Sequence, residues 1–128
     1  MSRPKSRNEN PGQRERPGVR VKIYVRDDMI GGGKMDLLKL VAEHGSISGA
    51  SKAMGVDYKR AWFLLDTLQR CFEQPLFIAR RGGENRGAEI TPLGRELIER
   101  YDAHRAAVDA ASGGFLDWLT TEQRQSDD

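Results

Sequence analysis

Val19, Val21, Ile23 and Val25 alternate with Arg20, Lys22 and Tyr24. A period of two is what a half-buried strand imposes, because successive side chains point to opposite faces. "DDMIGGG" at 27–33 then reads as a loop. From Lys34 the period lengthens, and Leu37, Leu38, Leu40 and Val41 form the apolar stripe of a helix. Gly45, just after His44, suits the left-handed residue that ends it. Ser46 can cap a second, short helix carrying Ile47, Ala50 and Met54 on one side. "GV" at 55–56 breaks the pattern. Asp57 then caps a third helix to about Phe72, with Ala61, Leu64, Leu65, Leu68 and Phe72 inward.

Past Pro75 the chain turns β-prone in "EQPLFIAR". A knot of glycine and arginine follows, then "AEIT", so two short strands and a mobile tip predict a hairpin. Thr91-Pro92 supplies an N-cap and a first-turn proline. The last helix continues through Leu93, Leu97, Ile98, Tyr101, Ala107, Val108 and Ala111, and "SGG" at 112–114 is expected to end it. "FLDWLTTEQ" reads as a separate short amphipathic helix before a polar tail. Residues 1–18 hold three of the five prolines and no aliphatic side chain beyond Met1. Such a segment cannot bury enough apolar surface to offset its ordering entropy, and is expected to be a disordered basic arm. The organisation is therefore an arm at 1–18, a domain at 19–111 whose last helix is 92–111, and a piece at 112–128.

Composition narrows the class. A chain of 128 residues with 38% hydrophobic and 31% charged residues holds one modest core. The net charge of +2 says little, so the placement of charge matters more. A single cysteine, Cys71, excludes an intrachain disulfide framework and fits a small core residue in a reducing compartment. No apolar run is long enough for a membrane helix and no signal-like segment opens the chain, so a cytoplasmic protein is expected. Neither His44 nor His104 has a ligand partner at metal spacing. "GGGK" at 31–34 fails as a phosphate loop, which would need glycine at Asp28 and Ser or Thr at Met35. No nucleophile–base arrangement stands out, so neither catalysis nor a cofactor is expected.

A helix, a short capped helix, a tight turn, a longer helix and a basic hairpin together predict a mainly α (α+β) winged helix-turn-helix. In that arrangement the third helix enters the DNA major groove. Opposite its apolar stripe lie Lys59, Trp62, Phe63, Asp66 and Arg70, with Tyr58 and Arg60 on the flanks. A solvated helix rarely turns Tyr, Trp and Phe outward together with cations, although Trp62 and Phe63 could also pack on a neighbouring helix or a second chain. In the hairpin tip Arg80, Arg81 and Arg86 offer charge for phosphates or the minor groove, while Gly82, Gly83 and Gly87 permit close approach.

Residues 45–101, "GSISGASKAMGVDYKRAWFLLDTLQRCFEQPLFIARRGGENRGAEITPLGRELIERY", resemble the N-terminal DNA-binding domain of ModE-type molybdate-responsive regulators. More distantly they resemble the LysR-type winged helix. The specific parts are "GSIS" at the second helix, "YKRAW" at the third, the glycine-rich wing, and Ile90-Thr91-Pro92-Leu93-Gly94 opening the last helix. With the strand and first helix before it, the likeness runs from about Val19. It implies binding of double-stranded DNA, with Ser46, Ser48, Asp57, Tyr58, Lys59, Arg60 and Trp62 facing the duplex beside the wing arginines. It also implies a homodimer with a long C-terminal dimerisation helix. Two departures stand out. Glu84, Asn85 and Arg86 interrupt a wing that tends in the family toward continuous glycine. Family members also carry molybdate-binding modules after this domain, for which the stretch beyond Tyr101 is expected to be too short. Molybdate sensing is thus left without support, and an effector is left open.

The dimer is also expected from the residues themselves. Leu93, Leu97, Tyr101 and Val108 stand at nearly heptad spacing, and Phe115 and Trp118 would otherwise leave an exposed apolar patch. Two other classes stay open at this point. One is a winged helix that binds protein and no longer reads DNA. The other is a small oxyanion sensor using Arg, Lys, Ser or backbone N–H groups.

Overall fold

The computed structural model describes residues 16–80 and 87–125. Most of the expected arm, residues 1–15, lies outside the described residues, as do Arg81 and Arg86 of the wing tip. The chain opens with a hairpin, β1 (Lys22–Val25) against β2 (Asp28–Gly31), with Val25 opposite Asp28. The stretch expected as a lone strand followed by a loop is thus a paired hairpin. "DDMI" hides its pairing because it lacks alternation, yet Ile30 is buried and Met29 half-buried. The two-residue connection places Arg26 at φ 56, the left-handed region that such tight turns use.

α1 (Gly32–His44) starts two residues before Lys34 and buries Met35, Leu37, Leu38 and Val41 completely. Gly45 ends it at φ 68, with its N–H bonded to the Val41 carbonyl. In α2 (Ile47–Met54) the Ser46 hydroxyl accepts from the Gly49 N–H at 2.9 Å. Gly55 at φ 81 turns the chain toward α3 (Tyr58–Gln69), where Asp57 accepts from the Arg60 N–H at 2.7 Å. α3 ends before the expected Phe72. The N–H groups of Cys71 and Phe72 reach carbonyls three residues back, at 3.1 and 3.0 Å, tightening the final turn.

β3 (Phe77–Ala79) and β4 (Ala88–Ile90) pair antiparallel with Ile78 opposite Glu89, forming the expected wing. α4 (Pro92–Glu122) follows, with its Gly94 N–H capped by the Thr91 hydroxyl at 3.1 Å. It does not stop at Ala111. One helix of 31 residues runs through Ser112, Gly113 and Gly114, so the short separate helix after them is a continuation. Interior glycine costs about 1 kcal/mol against alanine, which weakens a helix without breaking it.

The core joins α1, Ile47 and Ala50 of α2, Ala61, Leu65 and Leu68 of α3, Leu76, and Ala88 and Ile90 of the wing. Each fully buried leucine contributes about 1.5–3 kcal/mol. Tyr101, expected on an outward dimer face, belongs instead to this core. It is 4% exposed, and its hydroxyl donates to the Val21 carbonyl at 3.3 Å. The fold is the mainly α (α+β) winged helix-turn-helix read from the sequence.

At Gly94, α4 packs tightly on the segment that enters the wing, and an added Cβ would stand 2.2 Å from the Leu76 carbonyl oxygen. Gly94→Ala should therefore destabilise by at least ~1 kcal/mol, because overpacking against backbone outweighs the helix-propensity gain. Urea unfolding should show a lower midpoint with an unchanged slope. A midpoint at or above the parent's would show that α4 can shift without cost.

Candidate nucleic-acid interface

α3 has two chemically distinct faces, and its cap decides which one points outward. Asp57 fixes the first turn, Ala61, Leu65 and Leu68 go fully into the core, and Thr67 joins them with its hydroxyl on the Leu64 carbonyl. That leaves Tyr58, Lys59, Arg60, Trp62, Phe63, Asp66 and Arg70 exposed on the other side. Tyr58 is 48% and Phe63 53% exposed. These rings are not bare. Tyr58 meets Trp62 edge-on at 6.3 Å between centroids, and the Arg60 guanidinium lies 5.6 Å above the Phe63 ring. Asp66 pairs with Arg70 at 2.9 Å along the helix. Lys59 makes no ion pair with any described residue.

The expected DNA-facing set divides by environment. Tyr58, Lys59, Arg60 and Trp62 share one outward surface. Ser48 is exposed on α2, and its carbonyl accepts from the buried Ser51 hydroxyl. Ser46 and Asp57 spend a side-chain lone pair on capping their helices. On the wing, Arg80 reaches across the hairpin to Glu89 at 2.9 Å, both side chains being largely exposed. Exposed pairs of this kind hold weakly, so the guanidinium remains available to a competing anion. Trp62 also packs against Phe77 of β3 at 6.1 Å, which sets the wing root beside the outward face of α3.

Elsewhere the chemistry is quiet. The Cys71 thiol is pushed up by burial and by the nearby Asp28 carboxylate, partly offset by Lys34, so it stays protonated at neutral pH. The Lys34 ammonium folds back onto the Met29 carbonyl at 2.9 Å. Among the described residues no cluster of three His, Cys, Asp or Glu gathers, and no helix is long and apolar enough to cross a membrane.

The second half of α4 leaves the core behind. Leu93 and Leu97 pack on the domain, and Val108 is half-buried. Phe115 and Trp118 are 64% and 58% exposed and stack on each other at 6.2 Å. Beside them, residues 16–20 and the Leu116–Leu119 turn border an open groove of about 440 Å³.

Residues 33–95 match the model of the bacterial regulatory helix-turn-helix protein, lysR family. The matched stretch has the winged helix-turn-helix of bacterial regulatory proteins, a class of regulators and not of enzymes. The curated proteins that the chain is similar to include regulators of the ModE kind. It is 40% identical over 85 residues to the molybdenum-pterin-binding protein MopA of Rhodobacter capsulatus, covering 66% of this chain and 32% of that one. It is 31% identical over 84 residues to the molybdenum transport protein ModE of Azotobacter vinelandii, covering 62% and 31%. To the DNA-binding transcriptional dual regulator ModE of Escherichia coli K12 it is 37% identical over 70 residues, covering 54% and 27%. The chain spans about a third of the length of the curated relatives it matches.

Sequence reading missed Glu89 as the partner of Arg80 and Gln69 as a side chain that leaves its helix to bind a loop. The first needs the strand register, and the second needs the path of the loop. Asp57 gives a direct check on the capping assignment. Asp57→Ala should lower stability by about 0.5–2 kcal/mol, whereas Asp57→Asn, which keeps an acceptor, should lose little. A thermal melt compares the three, and equal midpoints for parent and alanine variant would remove the cap from the account.

Proposed function

We propose that this domain binds duplex DNA as a homodimeric transcriptional regulator. The observation that carries the reading is the outward face of α3, where three aromatic rings, Lys59 and Arg60 stand exposed opposite a fully buried apolar stripe. A protein–DNA surface needs that combination. Cations meet phosphate and base edges, and flat apolar groups meet sugars and base methyls. α3 lies in the major groove on this reading. The wing, with Arg80, Arg81 and Arg86, follows the backbone or enters the adjacent minor groove.

The exposed Phe115–Trp118 stack supports self-association through the second half of α4, since a monomer of this size rarely leaves stacked aromatics uncovered. A two-fold axis along that helix would set two recognition helices about one DNA turn apart, ~34 Å. The molybdenum in the relatives' names makes the control regions of molybdate-transport and molybdenum-cofactor genes the first duplexes to try.

Anisotropy titrations on such duplexes test the head of the site. Lys59→Ala should weaken binding to all sequences alike if it meets phosphate, and Arg60→Ala should cost about 1–3 kcal/mol at one position if it reads a base. Parent-like affinity for Lys59→Ala, Arg60→Ala and Tyr58→Ala together would sink the assignment of α3, and would favour a winged helix that binds protein.

Assembly is tested by sedimentation equilibrium at micromolar protein. A clean 14.4 kDa species would remove the dimer. Trp118→Asp should shift the dimer toward monomer and weaken DNA binding together. Loss of DNA binding without dissociation would move the interface elsewhere.

A further inference from the structure

Gln69 is the last residue of α3, and its half-buried side chain lies under the entry to the wing. The carboxamide nitrogen donates to the Gln74 carbonyl at 2.8 Å, and the carboxamide oxygen accepts from the Leu76 N–H at 2.8 Å. The partners fix the orientation of the amide. A backbone N–H only donates and a carbonyl only accepts, so a flipped amide would lose both bonds.

α4 holds the same short segment from the other side. The Thr91 hydroxyl donates to the Pro75 carbonyl at 2.7 Å, and the Thr91 N–H donates to the Leu76 carbonyl at 3.1 Å. Leu76 itself is fully buried. One residue further on, Phe77 opens β3 with its ring against Trp62. The other strand is tied separately, through the Ala88 N–H and the Gly45 carbonyl at 2.8 Å. A hairpin built from three-residue strands has little stability alone, so the fastenings at its base set its direction. Among the described residues, Gln69 alone makes hydrogen bonds from α3 to the chain that enters the wing.

We propose that Gln69 is a positioning residue for DNA binding: its carboxamide sets the angle between recognition helix and wing so that both engage one duplex. The proposal rests on the DNA reading above and deepens it. Gln69 lies two turns beyond Trp62 on α3 with its carboxamide turned onto the wing entry, and the role needs no contact with nucleic acid. Its effect passes through Leu76 and Phe77 to the strand that carries Arg80. A glutamine that merely stabilised the loop would lower the melting point and leave the folded protein's grip on DNA unchanged.

Gln69→Met keeps length and burial but offers neither bond, and Gln69→Asn keeps the amide on a shorter stem. The first readout is the slope of log affinity against log salt, taken on a duplex at a temperature where circular dichroism shows the variant folded. We expect Gln69→Met to flatten the slope by about 0.9 for each phosphate that the wing no longer neutralises, and to change it little further when combined with Arg80→Ala, Arg81→Ala and Arg86→Ala. The second readout needs no DNA. The chain has two tryptophans, so Trp118→Phe leaves Trp62 as the only one. Acrylamide should then quench Trp62 more strongly once Phe77 has moved away. An unchanged salt slope, or full additivity with the wing variant, would overturn the positioning role. So would unchanged Trp62 quenching in a folded Gln69→Met protein. If Gln69→Met does not fold, Gln69→Asn is read by the same criteria. A parent with no affinity for duplex would defeat the DNA reading itself, and with it the positioning role, whatever Trp62 quenching shows.

Discussion

At Gly94 the first turn of α4 lies so close to the Leu76 carbonyl that there is no room for even one carbon atom between them. That approach organises the rest of the fold. Because α4 comes this near, Thr91 can place its N–H on Leu76 and its hydroxyl on Pro75 while also capping its own helix at Gly94. The Pro75 and Leu76 carbonyls before the wing thereby find donors within the chain. With Leu76 anchored in the core, the wing emerges at a fixed root beside α3, and α4 leaves in a fixed direction past Tyr101.

The outward face of α3 follows from a simpler economy. Once Asp57 and Gly55 set the start and phase of the helix, the apolar stripe has only one way to reach α1, and everything opposite must meet solvent or a partner. Its aromatics are held by one another and by Arg60 rather than left loose. Among the described residues, the carboxylates paired with Arg70 and Arg80, Asp66 and Glu89, are themselves exposed. Weak pairs of this kind keep guanidinium groups oriented yet exchangeable, a state suited to trading a carboxylate for a phosphate.

The helices and the wing were legible in the sequence because caps and periodicity coincide there: Ser46, Asp57 and Thr91 each precede an apolar stripe, and glycine follows two of the helices. The β1–β2 hairpin was not, since two aspartates and three glycines conceal a strand whose burial comes from packing on α1 and α3. The end of α4 was misread for the opposite reason. "SGG" is a strong local stop signal, and only the helix-forming residues on both sides overrule it. Side-chain identities on α3 predicted exposure correctly because a helix has one phase. The heptad reading of α4 failed at Tyr101, where periodicity alone cannot tell a residue facing its own core from one facing a second chain.

The length of α4 has a mechanical consequence. Beyond Tyr101 it extends a further 21 residues to Glu122, about 32 Å at 1.5 Å per residue. Its first turns are held against the core as far as Tyr101, so the shaft beyond acts as a lever pivoted there. A tilt of about 5° at that pivot moves the far end by about 3 Å over this length. Conversely, whatever holds the far end to within about 3 Å holds the direction of the shaft to within about 5°.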